Sequence, residues 1–228
     1  ALGGSRAAWS QASDVVIADD VTLKPVIVLP LAGVDALAVS GGWLVYRVAG
    51  PQGERLLARS LLGAPTVRLL AGARPAGVIG RPALQGSTVV FAESTARSSV
   101  IVSVELSTGA RRVLRSATRS AQFLNPSIQG RRLLYERIDR CSQELRLGPL
   151  GGHGAERVLL TLPSTVVRDT GYQVGYEHAW NMASLCPNRG SGRPRAPLLG
   201  ATALSARQAF VTEQPSRPAD ARIVTLAR

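Results

Sequence analysis

The chain has 228 residues, of which 45% are hydrophobic and only 4% aromatic, with 23 Gly and 14 Pro along its length. No stretch approaches the roughly 20 consecutive apolar residues of a membrane-spanning helix, so we expect no transmembrane segment and many short strands joined by turns. The formal charge of +12 comes from 26 Arg and one Lys, spread over nearly every segment. Nucleic-acid binders usually concentrate such residues on one face. We therefore expect mainly solvated Arg, no specific nucleic-acid contact, and at most attraction to an anionic surface.

A hairpin pattern recurs five times along the chain. It consists of an apolar residue, a small residue two positions later, and an aromatic residue five positions further on. The copies end at Trp9, Tyr46, Phe91, Tyr135 and Phe210, at spacings of 37, 45, 44 and 75 residues. The small residue, Gly in four copies, permits a tight turn with positive φ, and the aromatic is placed to pack on a neighbouring sheet.

Further β-rich runs follow each hairpin. Third runs lie at 15–17, 56–58, 100–104, 145–147 and 223–226, and fourth runs lie at 26–29, 67–70, 112–114 and 157–160. Four strands per repeat of this length predict an all-β fold, a propeller of about five four-stranded antiparallel blades. The predicted single domain, 1–228, has blades at about 1–32, 33–74, 78–118, 122–162 and 198–228, with a loop insertion at about 163–197. The last blade either has three strands or is completed by residues removed from an end of the chain.

Two segments in the middle of the chain resemble the repeat of TolB-type propellers. One is Asn125-Pro126-Ser127-Ile128-Gln129-Gly130-Arg131-Arg132-Leu133-Leu134-Tyr135-Glu136. The other begins at Arg81-Pro82-Ala83-Leu84-Gln85-Gly86 and leads to Val104-Glu105-Leu106-Ser107-Thr108-Gly109, similar to the family's strand ending in Asp-Leu-x-Thr-Gly. The likeness is strongest over 80–160, and the Pro-Asp-Gly turn of the family is missing. It implies a bacterial binding or scaffold domain outside the cytoplasm.

The chain contains two cysteines, Cys141 between the second and third strands of blade 4 and Cys186 in the insertion. Two Cys on presumed loops of an otherwise Cys-free chain suit an exported protein, so we predict that they form a disulfide. The alternative is two free thiols in a reducing compartment. A metal site is not expected, because two Cys without neighbouring Cys or His supply too few ligands for zinc.

The insertion is the compositional outlier of the sequence. It holds the weak ligand-binding candidates Tyr172, Tyr176, Glu177, His178 and Trp180. Long loops on a rigid scaffold are usual places for ligand contacts, where aromatics stack on a sugar or peptide side chain and polar groups orient it. The simpler alternative is that these aromatics seal a long loop onto the body of the protein.

Catalytic motifs are absent from the sequence. It has no Gly-rich phosphate loop, no His-Glu-x-x-His and no Gly-x-Ser-x-Gly. Three glutamates, Glu93, Glu136 and Glu213, follow hairpin aromatics and are candidate axial carboxylates of a glycosidase, although solvated strand ends are the expected explanation.

The sequence therefore predicts a monomeric extracytoplasmic ligand- or protein-binding scaffold, without catalytic residues, cofactor or metal, whose partner is an unidentified protein or glycan. The alternatives are a carbohydrate-active hydrolase with axial carboxylates and a structural repeat segment of a larger surface protein.

Overall fold

The computed structural model describes residues 2–3, 5–50, 53–72, 77–95, 97–118, 121–139, 142–151, 154–163, 173–174, 177–178, 198–214 and 222–227. Their regular secondary structure is entirely β-strand. None of these residues belongs to a helix long and apolar enough to cross a membrane.

The first three blades are antiparallel sheets whose strands follow one another in chain order. Blade 1 consists of β1 (Leu2–Gly3), β2 (Arg6–Gln11), β3 (Asp14–Asp19) and β4 (Pro25–Pro30). Blade 2 consists of β5 (Val34–Ser40), β6 (Trp43–Val48), β7 (Arg55–Ser60) and β8 (Val67–Gly72). Blade 3 consists of β9 (Val78–Ile79) and β10 (Ala83–Gln85), which both pair with β11 (Thr88–Ser94), followed by β12 (Ser98–Glu105) and β13 (Arg111–Thr118).

The last two blades differ in strand number. Blade 4 consists of β14 (Ala121–Gln129), β15 (Arg132–Asp139), β16 (Ser142–Pro149) and β17 (Arg157–Pro163). A small hairpin, β18 (Gln173–Val174) with β19 (Glu177–His178), precedes blade 5. Among the described residues, blade 5 consists of β20 (Leu198–Leu204), β21 (Gln208–Gln214) and β22 (Arg222–Ala227). The predicted fold, a five-bladed β-propeller with an incomplete last blade, is confirmed.

The first strands of successive blades contact one another: β1 with β5, β5 with β10, β10 with β14 and β14 with β20. They are therefore the innermost strands, and the fourth strands form the periphery. Three of these inner strands are interrupted by a register shift, at Val34/Ala36, Leu124/Ser127 and Leu199/Thr202. Such bulges bend a strand and redirect the side chains beside them, and here they place Asp35 and Asn125 at blade interfaces.

The hydrophobic core is divided among the blade interfaces. Four buried clusters lie between blades 1 and 2, 2 and 3, 3 and 4, and 4 and 5. Within the described ranges, no buried cluster joins blade 5 to blade 1. A single four-stranded sheet cannot cover both of its faces, so stacking against the next blade supplies most of the apolar burial.

The hairpin aromatics of blades 2, 3 and 4 pack on the preceding blade as predicted. Tyr46, Phe91 and Tyr135 are all buried within the corresponding clusters. The first copy differs, because Trp9 is 36% exposed. The aromatic residue therefore has the same position in four blades, but in blade 1 it is only partly buried.

The fifth copy of the pattern was assigned one residue out of register. Ala209 and Val211 are fully buried against blade 4, whereas Phe210 is only half-buried. Because side chains alternate between the two faces of a strand, Phe210 points away from blade 4, and Val211 takes the place of the aromatic. The turn of this hairpin lies one residue later than assigned, because Leu204 pairs with Ala209 and Ser205 N donates to the Gln208 carbonyl. The apolar pattern alone does not reveal such a shift.

Candidate functional site

The residues predicted from the insertion fall largely outside the described part of the chain. Tyr172, Tyr176 and Trp180 lie outside it, and for Glu177 and His178 only the backbone is described, in β19. Cys141 and Cys186 also lie outside the described residues. The ligand-binding and disulfide assignments therefore stay predictions.

The polar groups that the structure does bring together lie mainly between blades. The best-buried example is Arg47, whose side chain is inaccessible to solvent. Its guanidinium donates to both carboxylate oxygens of Asp35, at 2.9 and 3.1 Å, and to the Ile79 carbonyl of blade 3. Glu54 lies 3.9 Å from the same guanidinium. A buried charge must be paired and hydrogen-bonded to be tolerated, and this cluster meets that requirement with groups from two blades.

A polar side chain at the start of each third strand links blades 2, 3 and 4 to the next blade. Ser99 and Gln143 each face the residue three places after the hairpin aromatic, and Glu54 directly precedes Arg55, the first residue of β7. Each accepts a hydrogen bond from a backbone N–H of the next inner strand. The pairs are Ile79 N to Glu54 at 2.7 Å, Phe123 N to Ser99 at 2.9 Å, and Leu199 N to Gln143 at 3.0 Å. We call these contacts the inner joints.

Arginines form a second set of links at the periphery. The fourth strands of blades 2, 3 and 4 each have an Arg at the same strand position, two strands across from the residue that precedes the hairpin aromatic. Each Arg donates to a backbone carbonyl near the end of the next blade's third strand. The bonds are Arg68 to Leu106 at 2.9 Å, Arg112 to Gly151 at 2.8 Å, and Arg157 to Ala227 at 3.0 Å. We call these contacts the outer joints. Ile27 occupies the equivalent position of blade 1.

These links give some arginines a structural role: Arg47 is buried, whereas Arg68, Arg112 and Arg157 make their contacts while exposed. Arg47, Arg68, Arg112 and Arg157 all reach backbone carbonyls of another blade. The planar, multiply donating guanidinium suits such contacts better than the ammonium of Lys. Sequence reasoning missed them, although the recurrence of Arg at the start of the fourth runs was a usable signal.

Blades 3 and 4 also share a titratable cluster around Glu156. Its carboxylate accepts hydrogen bonds from Tyr135 Oη at 2.7 Å, from Arg146 at 3.4 Å and from Arg115 of blade 3. Burial acts to raise the pKa of Glu156, but the Tyr135 hydrogen bond and Arg115 outweigh it and lower that pKa below its ordinary value. Burial together with the bond to Glu156 raises the pKa of Tyr135 to about 12. The cluster is a charged inter-blade contact.

The three candidate axial glutamates are not equivalent. Glu93 and Glu213 share one strand position, two residues after Phe91 and after Val211, whereas Glu136 follows Tyr135 directly and so lies on the other face of its strand. Glu136 and Glu213 are buried, which contradicts the expectation of solvated strand ends. Glu93 binds Arg111 at 2.7 Å and Glu213 binds Arg222 at 2.8 Å, while Glu136 accepts from Asn125 at 3.4 Å.

Several of the described carboxylates bind arginines or hydroxyl groups, and Asp35 and Glu54 share Arg47. Asp35, Glu54, Glu93, Glu156 and Glu213 each contact an Arg. Glu105 accepts from Ser107 and Thr88, and its pKa is lowered, chiefly by hydrogen bonding to Ser87. Among the described residues, no group of three or more His, Cys, Asp or Glu side chains could hold a metal ion.

The fold and its joints define the chain as a five-bladed β-propeller. Its structure is similar to that of a putative TolB from Agrobacterium tumefaciens, with a TM-score of 0.59 at 10% sequence identity, covering 98% of this chain and 73% of that one. It is also similar to a chain of a nidogen/laminin complex, with a TM-score of 0.51 at 13% identity over 96% of this chain and 93% of that chain.

A peptidase is a third structural relative. Oligopeptidase B from Trypanosoma brucei gives a TM-score of 0.50 at 12% identity, over 94% of this chain and 27% of that one. The sequence matches no protein-family model and none of the curated proteins compared with it. The TolB-like resemblance carried by residues 80–160 thus extends to the fold of the chain.

Proposed function

We propose that the protein is a TolB-like extracytoplasmic propeller that binds a protein or glycan ligand and has no catalytic activity. The observation that carries this proposal is that most interfacial carboxylates among the described residues bind arginines or backbone N–H groups. The interfacial carboxylates neutralise arginines or accept hydrogen bonds between blades. The blades therefore form a rigid scaffold, and the loops remain available for recognition.

The 163–197 insertion is the proposed contact surface. Its aromatic residues, Tyr172, Tyr176 and Trp180, offer stacking area, and Glu177 and His178 offer hydrogen bonds that orient a ligand. The structural relative from a nidogen/laminin complex supports a protein-binding role for such a propeller. The charge of +12 favours a second, nonspecific attraction to an anionic surface.

Location outside the cytoplasm is linked to the proposed Cys141–Cys186 disulfide. In an oxidising compartment this bond would connect the insertion to blade 4. Thiol titration of the denatured protein, purified without reductant from its native compartment, is expected to find no free thiol. Two free thiols per chain would contradict both the bond and the location.

Binding is distinguished from hydrolysis by one experiment with two readouts. The protein is applied to an array of polysaccharides, and reducing ends are measured after incubation with the same polysaccharides in solution. We expect retention on a class of glycan without release of reducing ends, and loss of retention in the double variant Tyr176→Ala/Trp180→Ala. Release that disappears in Glu136→Gln would instead establish the carbohydrate-active hydrolase.

A further inference from the structure

Two of the strand connections in each four-stranded blade lie at the same end of the propeller. In an antiparallel sheet taken in chain order, the connection between the first two strands and that between the last two are on one side. In blades 1 to 4, a backbone N–H at the start of the later connection donates to a carbonyl of the earlier turn. These bonds are Asp20 to Ser5, Leu61 to Gly42, Leu106 to Ser87 and Leu150 to Arg131. We call the end formed by these connections, by the β20–β21 turn and by the two strand residues next to each, the turn face.

The turn face is more basic than the opposite end of the propeller. Between blades, Gly86 N donates to Ser40 at 3.0 Å and Gly130 N to Gln85 at 2.7 Å, so successive turns are held side by side. The described part of this face has ten basic and four acidic residues. The same count at the opposite end, with Arg81 included, gives five basic and five acidic side chains among those described. The net positive charge of the described residues therefore lies mostly on the turn face.

The β3–β4, β7–β8 and β12–β13 loops of this face are built in the same way. Each follows a polar residue at one equivalent position, which pairs with the residue three places before the hairpin aromatic. This polar side chain accepts a hydrogen bond from the backbone N–H two residues later. The bonds are Val21 N to Asp19 at 3.2 Å, Leu62 N to Ser60 at 3.3 Å, and Ser107 N to Glu105 at 3.4 Å. The second loop residue therefore has the same place in all three blades.

Blades 1 and 2 have exposed apolar side chains on this loop, whereas blade 3 does not. Val21 is 85% and Leu62 is 71% exposed, and the equivalent residue of blade 3 is the exposed Ser107. Leu23, 59% exposed, has a φ of 55°, a conformation that usually favours Gly or Asn. Because blade 3 closes the same loop with a serine, the fold does not require apolar residues there. Exposed apolar groups that the fold does not need are typical of interaction sites.

Two valines extend this apolar surface. Val26 and Val67, at the starts of β4 and β8, lie beside the two loops, and each is 52% exposed. Both loops are closed by backbone hydrogen bonds within their own blades, so the surface belongs to complete, four-stranded blades. We call its five residues the apolar tips: Val21, Leu23, Val26, Leu62 and Val67.

The occupant of this surface has to match two properties. The basic residues of the turn face favour an anionic partner, and the apolar tips favour one that removes them from water. An anionic glycan or a nucleic acid satisfies only the first requirement. A bilayer that contains anionic lipids satisfies both, because its surface attracts Lys and Arg and the acyl layer just beneath takes up apolar side chains.

We propose that the turn face docks on an anionic lipid bilayer, with the apolar tips inserted among the lipids and the basic residues contacting the headgroups. The inference rests on the attraction to an anionic surface proposed above and deepens it, because it names the surface, the face of the propeller and the residues that enter the bilayer. The 163–197 insertion joins β17 to β20 at the opposite end, so ligand binding by the insertion is a separate function.

Co-sedimentation of the full chain with lipid vesicles tests the proposal. Vesicles made of equal parts of phosphatidylcholine and phosphatidylglycerol are compared with vesicles of phosphatidylcholine alone. We expect the chain to bind the anionic vesicles at least about tenfold more tightly than the neutral ones, and the binding to weaken as the salt concentration rises. The absence of saturable binding to anionic vesicles overturns the proposal and leaves an acidic protein as the occupant of the apolar tips.

The variant Val21→Ser/Leu62→Ser tests the apolar contribution, because it gives blades 1 and 2 the residue that blade 3 has at this position. We expect it to bind anionic vesicles about tenfold more weakly than the native chain. The matched control is Ile223→Ser, which changes a comparably exposed apolar residue at the opposite end. Equal affinity of the two variants would mean a purely electrostatic attraction to any polyanion, and overturns the proposal.

A pair of charge reversals tests which end of the propeller docks. Arg131→Glu/Arg132→Glu changes the turn face, and Arg55→Glu/Arg97→Glu changes the opposite end. All four arginines are exposed, and the two variants have the same net charge. We expect the first variant to lose at least about tenfold in affinity for anionic vesicles and the second to lose less than about threefold. Equal losses overturn the assignment of the turn face.

The insertion variant separates this proposal from ligand binding. Tyr176→Ala/Trp180→Ala is expected to bind anionic vesicles with the affinity of the native chain. A loss of vesicle binding in this variant would assign the lipid contact to the insertion and overturn the proposal. If no glycan is retained while vesicle binding is intact, only the ligand-binding role of the insertion is refuted.

Discussion

Arg47 is a single buried residue that links two neighbouring blades. It lies in the second strand of blade 2, binds Asp35 from the bulged inner strand, and donates to the Ile79 carbonyl of blade 3. Removing one partner of a buried ion pair leaves the other charge uncompensated, which costs far more than the pair itself contributes.

Replacing Arg47 with Ala is therefore expected to lower the free energy of unfolding by about 3 kcal/mol. Arg55→Ala is the matched control, since Arg55 is an exposed arginine in the adjoining strand, and it should change stability by less than about 0.5 kcal/mol. Urea unfolding followed by circular dichroism measures both values. Similar losses in the two variants would mean that the Arg47 cluster is energetically unimportant.

Tyr135 gives a pH-dependent test of the Glu156 cluster. Its pKa is raised to about 12 in the folded protein, first by burial and then by its bond to Glu156, whereas an unfolded Tyr ionises near pH 10. The neutral phenol is thus favoured by folding, so this contribution to stability is complete below about pH 10 and is lost as the pH rises toward about 12. Thermal unfolding across this range should show that loss in the native protein and a smaller one in Tyr135→Phe. An identical pH dependence in the two proteins would refute the assignment.

At the scale of the element, the hairpin turns of adjacent blades make close contact. Gly41, in the β5–β6 turn, has a φ of 55°, and a Cβ added there would lie 2.6 Å from the carbonyl oxygen of Gly86 in the corresponding turn of blade 3. Gly63 also has a positive φ, 68°, but an added Cβ would meet nothing within 4 Å. Comparing substitutions at these two glycines therefore separates the cost of a positive φ from the cost of a steric clash between blades.

Gly41→Ala is expected to destabilise the protein by about 1–3 kcal/mol more than Gly63→Ala, because both carry the strain of a positive φ but only Gly41 also meets a rigid backbone. Chemical unfolding of the two variants side by side provides the comparison. If their midpoints coincide, the turns of blades 2 and 3 do not support each other in solution.

Much of the element pattern could be predicted from the sequence. Positions of Gly and aromatic residues identified the hairpins, because turn geometry and burial restrict those residue types strongly. The register of the fifth hairpin could not be derived, since this copy has Ser205 in place of Gly and its turn lies one residue later than in the other copies. The buried state of Glu136 and the outer joints of Arg68 and Arg112 also depend on the neighbouring blade. The insertion residues were chosen on composition alone and stay predictions.

At the scale of the whole molecule, the number of buried interfaces differs among blades. Blades 2, 3 and 4 each contribute to two of the four apolar clusters, whereas blades 1 and 5 each contribute to one. In repeat architectures, stability is approximately the sum of unit and nearest-neighbour terms. The middle of the chain should therefore be more stable than its two end blades.

Hydrogen exchange measured by mass spectrometry should show this gradient directly. We expect amides of β2, β3, β21 and β22 to exchange faster than those of β11, β12, β15 and β16. Uniform protection across the five blades of the free protein would indicate instead that the contacts between blade 5 and blade 1 match the others in strength.

The inner and outer joints also give the molecule a mechanical direction. Each of them runs from one blade to the following one, from blade 2 onward, whereas blade 1 has Ile27 where blades 2, 3 and 4 have the Arg of an outer joint. If the chain is pulled from its two ends, the contact between blades 1 and 2 has no such arginine hydrogen bond to oppose the force. Extension should then begin at that end and proceed one blade at a time, so that a pulling force unravels the protein from blade 1 toward the middle.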